Sequence, residues 1–222
     1  MNAGIQINRT FVSLIILSSI VAAVGLMRND IAIIIGAMVI APLLTPNMAL
    51  SLATTLGDIE LGKNALKTNL IGIFLAILFS VCIGVIFTID ASVPAIASRT
   101  SISVSDIIVA FAAGSAGALA FTTGFPGALI GVMVAVALMP PLVAVGMLAG
   151  SGQFIPAMGA LMLFAVNLIC VNLAGVVTFI IQGIRPRTWW EAERAKKATI
   201  KAAIIWGALL FALIIILYLT PK

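Results

Sequence analysis

Seven long apolar stretches, separated by short polar segments, fix the solvent in which this chain can fold. They run over residues 10–27, 31–56, 67–89, 105–122, 127–149, 156–183 and 198–219. A helix needs about 20 apolar residues to cross the hydrocarbon core of a bilayer. Lipid offers no hydrogen-bond partner to the backbone, so such segments must satisfy their own N–H and C=O groups as helices. With 63% hydrophobic and 9% charged residues, the chain reads as one all-α integral membrane domain over residues 1–222.

Two of the stretches echo each other. Ile35–Gly57 and Ile130–Gly152 align at an offset of 95 residues, with eight of 23 positions identical, among them Gly36/Gly131, Met38/Met133, Val39/Val134 and Pro46/Pro141. Phe11–Met27 aligns at the same offset with Asp106–Thr122, so the first stretch reads as part of the fold and not as a cleaved leader. Spans one to three (10–89) and four to six (105–183) then form two units, with an extra C-terminal helix at 189–219. An odd number of spans per unit inverts the second relative to the first, as in many carriers and channels.

Charge sets the orientation. With seven full spans, nine of the twelve Lys/Arg share the side of the amino terminus and three (Arg28, Arg99, Lys222) lie opposite. Basic residues stay on the cytoplasmic side. The expectation is an inner membrane protein with its amino terminus inside and its carboxyl terminus outside. The +5 net charge needs no nucleic acid, because half of the basic residues fall at 185–201. An alternative stays open. Each proline-broken stretch is also compatible with a re-entrant hairpin, which leaves five true spans and parallel repeats.

Several polar residues read as helix starts. Ser103 and Asp106 stand at capping-box spacing, as do Thr188 and Glu191, and Asn29-Asp30 reads as turn plus cap. Trp189 and Trp190 suit the headgroup layer. Smooth runs such as Ala112–Ala118 allow close helix crossing and point to oligomerisation.

The proline breaks carry the candidate site. Pro42 and Pro46 each remove a backbone donor and free a carbonyl one turn earlier. Thr45 and Asn47 sit among them, able to satisfy those groups or to contact a solute. The second copy breaks at Pro140-Pro141, but Leu142 replaces Asn47, so the two half-sites are unequal. Asn69 and Asn167 both open Asn-Leu-Ile near matching places in spans three and six. Asn172 lies five residues past Asn167, about 140° around the helix, so the two cannot share a face.

Absences narrow the function. Histidine is missing, the two cysteines fall within different spans, and no P-loop, HExxH or Gly-x-Ser-x-Gly occurs. No acidic or basic residue falls clearly at a midplane, where proton-coupled carriers place one. No enzyme chemistry, cofactor or metal is expected.

The stretch Leu17–Ala53 resembles the signature of a prokaryotic membrane family, "domain of unknown function" number 389. Ser18, Ser19, Gly25, Asn29, Gly36, Ala37, Met38, Pro42, Leu43 and Pro46 stand at its pattern positions. Ala137–Leu142 and Asn167 through Asn172 also fit. The resemblance implies a membrane protein, supplies no catalytic residues, and covers the membrane core of what are often longer chains. The leading expectation is a transporter or channel for a small solute or ion. Its path would run between the two proline-broken helices, lined by Pro42, Thr45, Pro46, Asn47, Asn69, Pro140, Pro141 and Asn167. The alternative is a non-transporting oligomeric scaffold or sensor.

Overall fold

A computed structural model describes residues 7–124, 138–184, 200, 204, 206–208 and 211. The described residues are helical with no strand. The helices are α1 (Arg9–Met27), α2 (Ile31–Ile40), α3 (Leu44–Leu56), α4 (Ile59–Ile86), α5 (Pro94–Ala97), α6 (Val104–Thr123), α7 (Met139–Gly150) and α8 (Phe154–Ile181). Four of them, α1, α4, α6 and α8, are long and apolar enough to cross a membrane, and the count is five where the bent pair α2–α3 is taken as one span. Most of the last apolar stretch and all of residues 125–137 and 185–199 fall outside the described residues, as does the Thr188–Glu191 cap.

Short polar residues start these helices. Asn8 accepts from the Phe11 N–H at 2.7 Å, Asp30 from Ala32 and Ile33, and Asp58 from Leu61. Each satisfies donors that have no partner within the first turn. Ser103 and Asp106 form the expected capping box, with the Ser103 N–H donating to the Asp106 carboxylate at 2.7 Å. Asn29 takes a left-handed φ of 53° and Asp30 caps, so the turn-and-cap reading holds. The third span starts earlier than composition suggested. Asp58 caps α4 at Ile59, and Lys63 rides on its second turn instead of lying in a loop before residue 67.

Helix starts recur at the sequence offset. Arg9 and Val104 open α1 and α6, Leu44 and Met139 open α3 and α7, and Ile59 and Phe154 open α4 and α8. Gly57 and Gly152, which follow α3 and α7, both take positive φ. Packing crosses between the halves. α3 lies on α8 as well as on α4, and α7 lies on α4 as well as on α8.

The proline break bends the second apolar stretch. α2 and α3 meet at 51° across Ala41–Leu43. Asn29, just before α2, accepts from the Ala95 N–H beyond the end of α4. Leu43, in the break, touches Gly72 near the middle of α4. α3 then ends two residues before α4 begins.

The packing is inverted relative to a water-soluble protein. Large apolar side chains face outward, including Phe74, Val85, Ile86, Ile155 and Ile181. The buried polar side chains among the described residues are Ser, Thr and Asn, with no charged group among them. That pattern fits a lipid solvent, where apolar surface costs nothing and polar groups turn inward.

Glycines set the crossing of α4 and α7. A Cβ on Gly84 would stand 2.1 Å from the Met147 carbonyl oxygen, and one on Gly146 would stand 2.4 Å from the Ser80 Cβ. We expect Gly84→Ala to destabilise the detergent-solubilised protein by about 1–3 kcal/mol through overpacking. Gly36→Ala, with nothing within 4 Å, should leave thermal unfolding unchanged.

Candidate polar site at the helix break

The site begins with a lost helix bond. Pro42 has no N–H, so α2 stops at Ile40 and its last carbonyls lack their usual donors. Pro46 is the third residue of α3, a position whose N–H has no intrahelical partner, so it fits the new helix without strain. One turn later Asn47 reaches back, and its Nδ2 donates to the Leu43 carbonyl at 2.7 Å. The carbonyls that Pro42 and Pro46 leave without a helical donor are those of Met38 and Pro42, and this bond goes instead to Leu43 inside the break.

The same amide gathers two other helices. Asn47 Oδ1 accepts from Asn69 Nδ2 of α4 at 3.1 Å and from Asn172 Nδ2 of α8 at 2.9 Å. Asn172 Nδ2 also donates to the Leu168 carbonyl. The Ser51 hydroxyl lies 3.1 Å from the carbonyls of Asn47 and Asn172 and 3.2 Å from Asn172 Oδ1. One hydroxyl proton thus serves three oxygens. Gly175 makes the approach possible, since a Cβ there would lie 2.8 Å from Ser51 Oγ.

One atom in this knot is unsatisfied. Asn69 is 4% exposed, and its Oδ1 has no hydrogen-bond partner among the described residues. A buried amide oxygen without a donor is costly, and such exceptions often mark an ion or water position.

The knot is neutral. The described carboxylates, Asp30, Asp58, Glu60, Asp90 and Asp106, lie at helix starts or in a loop. Asp90 is held below the usual carboxylate range by the hydroxyl and N–H of Ser92. Burial of Arg99 pulls its guanidinium below its ordinary value, while its Nη1 donates to the Ala95 carbonyl. Neither belongs to the site. The knot can offer amide, hydroxyl and carbonyl oxygens, but no acid, base or nucleophile. The described residues hold no group of three or more His, Cys, Asp or Glu suited to a metal ion.

Of the residues singled out in the sequence, Asn47 and Asn69 meet, and Pro42 and Pro46 frame the break beside them. Thr45 is half-buried in the first turn of α3 and makes no side-chain hydrogen bond among the described residues. Pro140 and Pro141 are buried in the first turn of α7, with Pro141 at the same helical position as Pro46. The backbone preceding them, where a second break would lie, is outside the described residues. Asn167 is buried but joins no hydrogen bond of the knot. Its place is taken by Asn172. The 140° separation holds, but the repeated Asn-Leu-Ile pointed to the wrong asparagine of the two. Ser51 was also missed, because a serine one turn after an asparagine in apolar sequence gives no separate signal.

Residues 38–173 match the family described as "Domain of unknown function (DUF389)". The chain belongs to this family. It is also 39% identical over 204 residues to an uncharacterized protein of Methanocaldococcus jannaschii, a match covering 92% of this chain and 64% of that protein. The chain thus spans less than two thirds of that relative's length. No solved structure matches it. The family match includes Pro42, Pro46, Asn47, Ser51, Asn69 and Asn172, so the whole knot lies in the family's shared region.

The knot predicts energetic coupling between helices far apart in sequence. In a double-mutant cycle of Asn47→Ala and Asn172→Ala, unfolding in detergent should give a coupling of about 0.6–1.7 kcal/mol. The same cycle with Asn167→Ala in place of Asn172→Ala should give none.

Proposed function

We propose that this protein moves a small solute or ion across the cytoplasmic membrane through a path beside the broken α2–α3 helix. The unpartnered Asn69 Oδ1, buried where the break, α4 and α8 converge, carries the proposal. Irregular backbone at membrane depth is tolerated where protein or a water-filled cavity covers it, and transporters use broken helices to build their sites.

The helix arrangement supports an inverted repeat over hairpins. Asn29 bonds to Ala95, and Gln153 Nε2 donates to the Ile89 carbonyl, which gathers the end of α1, the end of α4 and the start of α8 at one end of the bundle. Gln182 Nε2 donates to Thr122, which pairs the ends of α6 and α8. α1 therefore ends where α6 begins, and α1 and α6 point in opposite directions. A bend of 51° between α2 and α3 supports a broken span over a hairpin.

The crossings repeat this relation. Ser51 of α3 faces Gly175 of α8, and Ser80 of α4 faces Gly146 of α7. An offset of 95 converts Ser51 to Gly146 and Ser80 to Gly175, so exchanging the halves exchanges the two crossings. The same offset pairs Asn47, Asn69 and Asn172 with Leu142, Phe164 and Ile77. The polar knot is thus confined to one of two equivalent places, and the site is lopsided. The positive-inside bias puts the amino terminus in the cytoplasm.

Asn47→Leu installs the residue found at the equivalent position of the second half. In proteoliposomes tested against a panel of ions and small polar solutes, it should lower flux about ten-fold while the protein still melts cooperatively. Unchanged flux would remove the knot from the path. A wild-type protein that moves no solute would favour a membrane scaffold instead.

A further inference from the structure

Two buried polar atoms among the described residues have no partner, and both lie on α4. One is Asn69 Oδ1, the other Ser80 Oγ. Asn69 is 4% exposed and Ser80 is fully buried. They are eleven residues apart, about 20° around the helix and about 16 Å along it, so they sit on one face three turns apart. Asn69 faces the crossing with α3 and α8, and Ser80 faces the crossing with α7 at Gly146. Other buried hydroxyls behave differently. Ser18, Ser19, Thr55 and Thr68 each return their proton to a backbone carbonyl three or four residues back. Ser80 makes no such bond.

The backbone at both helix starts selects the sign of a ligand. A helix N-terminus holds anions through its free N–H groups. In α3 the third of these is removed by Pro46, and in α7 the second and third are removed by Pro140 and Pro141. At the end of α2, by contrast, Pro42 cannot bond the Met38 carbonyl, so acceptors are left over. Prolines at these places delete donors and keep acceptors. Unwound carbonyls with amide and hydroxyl oxygens are the ligands that replace water around a small cation. The absence of any carboxylate from the knot suits a single charge held weakly enough to leave.

Resting on the membrane path proposed above, we propose that this path conducts a monovalent metal cation along the inner face of α4. Asn69 Oδ1 and Ser80 Oγ are its two oxygen stations. Asn69 shares the knot with Asn47, Ser51 and Asn172. Ser80 is a second station outside the knot, in the half of the bundle whose equivalent positions are apolar.

The test uses the full chain in proteoliposomes, with radioactive sodium, rubidium and chloride as probes. Rubidium or sodium uptake should exceed chloride uptake. Asn69→Leu and Ser80→Ala should each lower cation uptake about ten-fold. Ser80→Ala should leave thermal unfolding in choline chloride unchanged, and Asn69→Leu, which also loses the bond to Asn47, should still unfold cooperatively. In detergent, sodium or potassium chloride should raise the melting temperature above that in choline chloride, and Asn69→Leu should abolish the difference. Chloride uptake exceeding cation uptake would overturn the cation assignment but leave a path at the break. Cation uptake that falls with Asn69→Leu but not with Ser80→Ala would overturn the second station. Wild-type protein that moves none of the three ions and gains no stability from sodium or potassium would overturn the proposal.

Discussion

The carboxamide of Asn47 holds the centre of this structure. Its Nδ2 serves the Leu43 carbonyl inside the break, and its Oδ1 receives α4 through Asn69 and α8 through Asn172. The constraint behind it is general. Proline removes a donor, lipid supplies no replacement, and the freed backbone needs polar groups from other helices. A buried polar cluster stands beside the break in this chain. Here the cluster is made of asparagines and a serine, with no ionisable group.

Close backbone approach makes the cluster possible. Gly175 admits Ser51 at the α3–α8 crossing, and Gly146 admits Ser80 at the α7–α4 crossing. Each crossing uses one glycine and one serine. In the first the hydroxyl is absorbed by the knot, and in the second it has no partner. On the repeat proposed above there are two places for a polar site, and side-chain identity at Asn47/Leu142, Asn69/Phe164 and Asn172/Ile77 fills only one of them.

Much of this was readable from the residues. Apolar length placed α1, α6 and α8 to within two residues at each end, because these helices start at polar caps and end at turns. The proline pair marked the break, since few residues other than proline stop an apolar helix. The start of α4 was read eight residues late. Lys63 looks like a loop residue in composition, yet an exposed lysine near a helix start is tolerated and Asp58 already caps the helix. The partners in the knot were harder. Asn47 meets Asn172 across 125 residues and Asn69 across 22. Helical periodicity says which residues share a face, but not which face meets which helix. Asn167 and Asn172 were thus correctly separated, and only packing could choose between them.

The account turns on what accompanies Asn69 in the membrane. A density map of the full chain in lipid with thallium(I), an electron-dense stand-in for a monovalent cation, tests it most directly. The account predicts non-protein density in contact with Asn69 Oδ1, lost in Asn69→Leu. An Asn69 Oδ1 bonded to a protein donor, with no density beside it, would contradict the account.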